Sequence, residues 1–250
     1  MHRLLVETKE LESDSPALST AAAKHLRVLR PKEGEAIELF DGAGRSRVCA
    51  LVNGALRPSG GVSVSPRPPP LTLFACVTKG SRWDWTVEKA TELGATRIVP
   101  VISERTIVRI PKDEREAKRA RWMRVAEEAA RQSDAKWLPE IVVPVDFDAS
   151  LPLVRETRCF VGALTTPPPP PLLSALLSQA RSSAATSSFS IYVGPEGDFT
   201  PGELSALCEI ATPVSFGASI LRAETAAVYG LSVIKSFAQV LCEGKWYNLR

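Results

Sequence analysis

The sequence predicts an α/β protein in which a small β-rich domain precedes an open sheet covered by helices. Short alternating segments fill the amino-terminal part, and strand–loop–helix units follow further along the chain. A proline-rich spacer at residues 66–70 separates the two patterns, because consecutive prolines form a stiff, extended segment. We therefore predict one domain over residues 1–66 and a second over residues 71–250.

The bulk composition limits the class of protein. The 250 residues carry a net charge of +3, which suits a nucleic-acid partner and an ordinary, slightly basic enzyme equally well. Five cysteines without a C-x-x-C spacing predict reduced thiols and no zinc site. Both histidines, His2 and His25, lie in the first domain, which excludes a Ser-His-Asp device in the second. Without a membrane-length apolar run or a signal peptide, we expect a cytoplasmic protein.

Turn residues punctuate the first domain. Asp41-Gly42 marks the tip of a predicted hairpin, and Asn53-Gly54 marks a second turn. The predicted strands cover residues 2–6, 35–40, 45–52 and 61–65. These short segments indicate a small β-structure.

A predicted helix over residues 16–30 has basic side chains near its end. They are His25, Arg27 and Arg30, and Arg3 lies on the first strand. Such cations suit RNA phosphates, which is one interpretation. Cations at a helix carboxyl end also complement the helix dipole, and from the residues alone the two interpretations are equal.

The second domain begins with a predicted strand over residues 71–77. Ser81 is the predicted cap of a helix over residues 82–93, and Gly94 ends it. A second strand follows over residues 97–102. The cations Lys79, Arg82 and Arg105 would then lie at one sheet edge, where they could bind a phosphate backbone or simply be solvated.

A long helix is predicted over residues 112–133. Its charges of both signs favour a solvated face over an RNA contact. Predicted strands follow over residues 141–145 and 159–161, and the second of them ends at Gly162, Ala163 and Leu164. The low-complexity segments at residues 167–171 and 182–188 are predicted loops without chemistry.

The strongest signal is a strand at residues 191–193 that ends in the loop Gly194-Pro195-Glu196-Gly197. Thr200 is the predicted N-cap of the next helix, and Glu203 completes a capping box. A second such unit follows, in which a strand at residues 212–216 ends at Gly217 and an apolar helix reaches about residue 241.

Two glycine-containing loops at strand ends predict a binding site for a small, partly polar cofactor. Open α/β sheets bind ligands at the carboxyl ends of their strands, and free backbone N–H groups at helix starts favour anionic groups. The spacing excludes a P-loop and a dinucleotide fingerprint. For the GPEG sequence alone, a tight turn followed by a capped helix is the plainer alternative.

These residues resemble the RsmE-type uracil-N3 methyltransferases of small-subunit ribosomal RNA, in the SPOUT superfamily. The motifs that carry the resemblance are GPEGDFTPGEL, FGASILRAETA, KGSRWDWTVEKATELGATRIVPVISERT, RWMRVAEEAARQS, HLRVLR with LFDGAG, and KWYNLR. The resemblance implies a PUA-like RNA-binding β-barrel followed by a mostly parallel sheet with helices on both faces and a deep trefoil knot. It also implies S-adenosylmethionine as cofactor, and a homodimer whose partner subunit completes each site.

The resemblance also implies which residues bind the cofactor. The expected set is Gly162, Ala163, Leu164, Gly194, Pro195, Glu196, Gly197, Phe216, Gly217, Ile220, Leu221, Arg222 and Thr225. The chain departs from the family pattern at Asp134, Ala135, Asp198 and Ser219, all beside the expected site. These departures affect detailed contacts rather than the class of cofactor.

The chemistry implied needs no metal, because the sulfonium of S-adenosylmethionine is already activated. The protein must orient an unstacked uracil and stabilise the charge left when its N3 proton departs. Arg222 is the predicted stabiliser of that charge. Glu196 or Glu224 could take the proton, although each could instead bind backbone amides.

Three hypotheses of function follow. The first is a uracil-N3 methyltransferase that acts on small-subunit ribosomal RNA. The second is a SPOUT enzyme with another target, such as a ribose 2′-hydroxyl, and the third is a non-catalytic RNA-binding factor for ribosome assembly.

Overall fold

The computed structural model describes residues 1–154, 157–182 and 188–242. The closing KWYNLR motif and most of the predicted loop at residues 182–188 lie outside these ranges. The chain divides into two compact units. The first contains Met1–Pro68 and Glu127–Leu138, and the second contains Pro69–Ala126 and the chain from Pro139 onward. The sequence prediction had placed residues 127–138 in the second domain.

The first unit contains a small mixed sheet, one α-helix of its own and the end of a helix that begins in the second unit. Its elements are β1 (His2–Leu5), α1 (Thr20–Leu29), β2 (Ala36–Phe40), β3 (Arg45–Val52), β4 (Ala55–Pro58) and β5 (Ser63–Val64). The strand order is β1-β2-β3-β4, with β5 paired to β3, and only the β1–β2 pair is parallel. Alternating apolar residues such as Leu4, Ile37 and Leu39 fill its core.

Both predicted turns of the first unit are present. The Asp41 carboxylate accepts hydrogen bonds from the N–H groups of Ala43 and Arg45, which closes the β2–β3 turn. Asn53 and Gly54 both have positive φ, as a turn between antiparallel β3 and β4 requires. The strand β4 was not predicted.

The segment 127–138 joins the first unit through a buried charge cluster. Arg3 is only 7% exposed. Its Nε donates to Glu38 Oε2 at 2.7 Å, and its guanidinium donates to the carbonyls of Ala130 and Ala135. Lys136 Nζ lies 2.5 Å from Glu38 Oε1. The prediction that Arg3 contacts RNA is therefore corrected, because its donors are used inside the protein.

The second unit is a parallel sheet with helices on both faces. Its elements are β6 (Leu71–Cys76), α2 (Ser81–Glu92), β7 (Arg97–Ile102), α3 (Arg115–Ser133), β8 (Glu140–Ile141), β9 (Val145–Asp146), α4 (Phe147–Ser150), β10 (Arg158–Gly162), α5 (Leu172–Ser182), β11 (Phe189–Val193), α6 (Pro201–Ile210), β12 (Thr212–Val214) and α7 (Ala223–Cys242). The end of α3, from residue 127, belongs to the first unit.

The strand order of this sheet is β12-β10-β11-β6-β7-β8, with β9 paired to β7, and every pair is parallel. Successive residues of β6 point to opposite faces. Leu73 packs with residues of α2, α5 and α7, whereas Phe74 packs with residues of α4 and α6. The strands read as continuous apolar runs because both faces are covered. The knot implied by the resemblance stays a prediction.

Several predicted boundaries change in the structure. The helix predicted over residues 16–30 is confirmed as α1, but it begins only after its N-cap Ser19. Ser81 belongs to α2, whose N-cap is Gly80. The single strand predicted over residues 141–145 is two short strands, β8 and β9, and the helix α5 was not predicted. Among the described residues, no helix is long and apolar enough to cross a membrane.

Candidate functional site: a pocket at the carboxyl edge of the sheet

The predicted loops meet because their strands are neighbours. β10 lies between β12 and β11 in the sheet, and all three run parallel. Their carboxyl ends are Gly162, Val214 and Val193. The segments that follow these strands therefore leave the sheet at one edge, which is where open parallel sheets bind ligands.

A pocket of about 600 Å³, counting the part open to solvent, lies at this edge. The lining residues are Gly162, Ala163, Leu164, Val193, Gly194, Pro195, Glu196, Asp198, Phe216, Gly217, Ser219, Ile220, Leu221, Ala223 and Ala226. The walls are mainly apolar, with two carboxylates from one loop.

The lining agrees with much of the expected cofactor set. Gly197, Arg222 and Thr225 belong to that set but do not line the pocket. Sequence reasoning left five lining residues out of the set, namely Val193, Asp198, Ser219, Ala223 and Ala226. The spacing of these two alanines by three positions, at the start of an apolar helix, is a signal that could have identified them.

Glycines at the pocket edge make room for aromatic rings. A Cβ on Gly162 would overlap the Phe216 ring, which lies against it. A Cβ on Gly194 would lie 3.2 Å from Asp198 Oδ1 and 3.3 Å from the Phe199 ring. Both positions therefore favour glycine for reasons of space rather than of backbone angle.

The GPEG loop, which we define as residues 194–200, is an ordered turn. The N–H of Asp198 donates to the Pro195 carbonyl at 2.9 Å. Asp198 has φ +59, in the left-handed region that non-glycine residues seldom adopt. Its Oδ1 accepts the N–H of Phe199 at 2.8 Å, which supports this conformation.

The helix start after the GPEG loop is confirmed as predicted. Thr200 is the N-cap of α6, and its Oγ1 accepts the N–H of Glu203. Glu203 Oε2 accepts the N–H of Thr200 at 2.9 Å, which completes the capping box. The loop therefore has a fixed end beside the pocket.

Two carboxylates near the pocket share one arginine. Arg82 Nη1 lies 3.4 Å from Glu196 Oε1, and Arg82 Nε lies 4.0 Å from Glu224 Oε1. Glu224 Oε2 is buried without a hydrogen-bond partner in the part of the chain that is described. Within the described ranges, neither glutamate binds a backbone amide, so that alternative is not supported.

The remaining predicted RNA contacts differ in their exposure. Arg27, Arg30 and Lys79 are exposed, and His25 is half-buried. Arg105 is also exposed, but its guanidinium already donates to the Gly197 carbonyl at 2.8 Å.

Buried thiols near the strand ends do not supply a nucleophile. The Cys76 thiol donates to Ser103 Oγ at 3.4 Å, and burial raises its pKa to about 11. Burial likewise raises the pKa of the Cys159 thiol to about 11. Both thiols stay protonated at neutral pH, and only the thiolate form is a strong nucleophile.

Comparisons with known proteins define the class first. A model of the RNA methyltransferase domain matches residues 65–235, more than half of the chain, and a model of the RNA methyltransferase PUA domain matches residues 18–54. The predicted fold class, a SPOUT-type α/β domain after a PUA domain, is thereby confirmed. The match over more than half of the chain shows that the protein is an RNA methyltransferase.

Named relatives then give the particular family. A ribosomal RNA small subunit methyltransferase E of Synechocystis is 32% identical over 95% of this chain and 78% of its own length. The Bacillus subtilis protein of the same name is 29% identical over 96% of this chain and 98% of its own length. The chain belongs to the ribosomal RNA small subunit methyltransferase E family.

Two solved structures are similar to this chain over most of its length. One is a ribosomal RNA small subunit methyltransferase E from Neisseria gonorrhoeae bound to S-adenosyl methionine, with 26% identity, a TM-score of 0.78 and coverage of 94% of this chain and 97% of that one. The other is a putative methyltransferase from Legionella pneumophila with bound SAM, with 25% identity, a TM-score of 0.79 and coverage of 94% and 96%.

Proposed function

We propose that this protein transfers a methyl group from S-adenosylmethionine to N3 of a uridine in small-subunit ribosomal RNA. The observation that carries the proposal is the pocket built by three loops at the carboxyl ends of β12, β10 and β11. Membership of the methyltransferase family and the ligands named for two similar structures support it. The choice of uracil N3 rests on the motif resemblance.

The residues of the pocket fit this cofactor. Apolar side chains such as Phe216 and Leu221 suit the flat face of an adenine, and glycines such as Gly194 let a ligand approach the backbone. Glu196 and Asp198 provide negative charge for a cationic ligand with free hydroxyl and ammonium groups. The bound cofactor supplies a methyl carbon that is already activated by its sulfonium.

The remaining chemistry falls to side chains around the pocket. Glu196 is the proposed proton acceptor for N3, because its carboxylate lines the pocket and Arg82, at 3.4 Å, is its one ion-pair partner among the described residues. Arg222 is the proposed stabiliser of the charge that spreads onto the uracil oxygens. It is exposed and, in the described part of the chain, has no ion-pair partner.

The RNA and the assembly complete the proposal. The PUA domain would hold the RNA, and the target base would leave its stack to reach the pocket. We propose a homodimer in which the partner subunit completes each site. A cytoplasmic location is part of the same proposal.

Calorimetric titration with S-adenosylhomocysteine tests the cofactor site. The protein should bind saturably, and Gly194→Val should abolish binding, because the added methyl groups press on Asp198 and Phe199. Gly202→Val is the matched control, since a Cβ at Gly202 meets no atom within 4 Å. Absence of binding by the folded wild-type protein would support the RNA-binding factor instead.

Nucleoside mass spectrometry of treated small-subunit RNA tests the target atom. The proposal requires 3-methyluridine as product. A ribose-methylated nucleoside would instead show a SPOUT enzyme with another target.

Arg222→Ala tests the role of this arginine. We expect the single-turnover methylation rate to fall by about 10² to 10³, the usual cost of removing one electrostatic stabiliser. Binding of S-adenosylhomocysteine should stay within about twofold, because Arg222 does not line the pocket. Near-normal turnover in a variant that binds cofactor would remove Arg222 from the mechanism.

A further inference from the structure

The loop after β7 reaches across the sheet to the GPEG loop. β7 and β11 are not neighbours, because β6 lies between them. Even so, Arg105 Nη1 donates to the Gly197 carbonyl at 2.8 Å and lies 3.5 Å from the Phe199 carbonyl. The GPEG loop is therefore attached to a part of the sheet outside the pocket.

A second link runs in parallel to the first. Glu203 Oε1 accepts the N–H of Glu104 at 2.8 Å, while its other oxygen completes the capping box of α6. One carboxylate thus connects the loop after β7 to the end of the GPEG loop. A charged donor and a charged acceptor, Arg105 and Glu203, together fix the two loops.

The Arg105 contacts bracket an unusual residue. Asp198 has φ +59, and the two carbonyls that Arg105 approaches belong to the residues on either side of it. A non-glycine residue in the left-handed region costs about 1 kcal/mol or more and persists only when its surroundings hold it. Asp198 also lines the pocket, so its conformation sets the shape of the site.

We propose that Arg105 is a positioning residue for the cofactor, acting through the GPEG loop rather than by contact with RNA. Its guanidinium holds the carbonyls of Gly197 and Phe199 and thereby keeps Asp198 and Glu196 in place at the pocket. This inference rests on the proposed function, because it concerns the same cofactor site. It replaces the prediction that Arg105 binds a phosphate.

The chain offers a matched control on the same loop. Arg109 is also exposed and donates to two backbone carbonyls, those of Ser103 at 3.1 Å and Glu104 at 2.7 Å. Both acceptors lie within its own loop, so Arg109 does not reach the GPEG loop through these bonds. Arg109→Ala therefore removes the same charge and a similar number of hydrogen bonds without freeing Asp198.

The first experiment is titration with S-adenosylhomocysteine of the wild-type protein, Arg105→Ala and Arg109→Ala. We expect Arg105→Ala to weaken binding about tenfold, the effect of losing a hydrogen bond from a charged group, and Arg109→Ala to change it less than twofold. Equal binding by wild type and Arg105→Ala would overturn the inference alone. No binding by wild type would overturn the proposed function and the inference with it.

A double-mutant cycle separates positioning from general loss of stability. Glycine adopts positive φ without strain, so the Asp198→Gly variant depends less on the Arg105 hydrogen bonds to keep this turn in its conformation. We expect Arg105→Ala to weaken binding by less in the Asp198→Gly background than in wild type. An equal loss in both backgrounds would show that Arg105 does not act through this turn.

Measurements of RNA binding distinguish the positioning role of Arg105 from the earlier prediction that it binds a phosphate. Arg105→Ala should leave the affinity for substrate RNA within about twofold. A fall in RNA affinity with unchanged cofactor binding would show a phosphate contact and overturn the proposal. Arg105→Lys provides a second variant if the alanine variant does not fold, and it should weaken cofactor binding by an intermediate factor because an ammonium reaches fewer acceptors than a guanidinium.

Discussion

The size of the side chain that fits at a position beside the pocket is limited by the neighbouring side chain. Gly162 ends β10 and lies against the Phe216 ring, so even a methyl group there has no room. Phe216 in turn packs against Tyr229 of α7 at a ring-centroid distance of 5.6 Å. This contact with the Tyr229 ring limits the space into which the Phe216 ring can move.

Gly162→Ala should therefore weaken S-adenosylhomocysteine binding. The added methyl group displaces the Phe216 ring, which is a wall of the pocket, and we expect a loss of about fivefold or more, since overpacking costs roughly 1–3 kcal/mol. Calorimetric titration measures it. Gly202→Ala, which meets no neighbour, is the control and should bind as wild type does. Unchanged binding by Gly162→Ala would show that the ring moves aside without cost.

The buried pair of Arg3 and Glu38 is the second feature at this scale. Burial alone would raise the pKa of the Glu38 carboxyl, but hydrogen bonds from Lys136, Arg3 and Ser46 outweigh burial and hold it below its ordinary value. A lowered pKa in the folded state contributes stability above the ordinary value of about 4.5, and this contribution is lost as the pH falls through the folded-state pKa.

Glu38→Gln should lower the free energy of unfolding by up to about 3–5 kcal/mol near neutral pH, because it leaves the buried Arg3 paired only with the exposed carboxylate of Asp134, 3.2 Å away. The variant should also lose less stability than wild type on acidification below about pH 4.5. Urea unfolding at several pH values measures both effects. Glu7→Gln, at an exposed ion pair with Lys9, is the control and should leave the stability nearly unchanged. If the free energy of unfolding changed with pH in the same way in Glu38→Gln and wild type, Glu38 would not be a source of the pH dependence.

At the scale of elements, α6 shows local signals that agree with the fold. Thr200, Pro201 and Glu203 predicted its first turn, and the capping box is present there. Such signals act over three or four residues and depend little on the rest of the chain. The strands β8 and β9 behave differently, since their pairing with β7 decides where each one begins.

Thr200→Ala should destabilise the protein by about 1 kcal/mol, because the N–H of Glu203 loses its acceptor at the helix start. Urea unfolding measures the change. Ser205→Ala, an exposed position inside the same helix, is the control and should be neutral or slightly stabilising. Equal stability of Thr200→Ala and wild type would mean that the cap adds nothing to the folded protein.

At the scale of the whole molecule, we expect cofactor binding and RNA binding to involve different groups of residues. The pocket is apolar with carboxylates and lies in the second unit. Exposed cations at the end of α1 lie in the first unit, which contains the PUA domain match. RNA affinity should therefore change without a change in cofactor affinity.

The double variant Arg27→Ala with Arg30→Ala should bind substrate RNA more weakly and with a smaller salt dependence, because each lost phosphate contact removes about one released counterion. Filter binding over a range of salt concentrations measures this. Lys9→Ala, an exposed cation already paired with Glu7, is the control and should bind as wild type does. If the double variant bound RNA as wild type does, these arginines would not contact RNA and would only complement the dipole of α1.

The sequence by itself determined the class of fold, the two loops and the helix cap, because these depend on contiguous residues. Glycines at strand ends and the Thr200 capping box express local backbone chemistry that the tertiary structure did not change. The long motifs also carried the family, because they preserve order and spacing along the chain.

Only the tertiary structure decided which partners individual charged side chains bind. Arg3 and Arg105 look like surface cations in the sequence, yet one is buried against Glu38 and the other holds the GPEG loop. Their partners lie far away along the chain, at Ala130 and Gly197, for example. The same is true of Phe216 against Gly162. Long-range contacts of this kind leave no periodic pattern in the sequence, so only the fold reveals which charged side chains stay exposed and which bind partners within the protein.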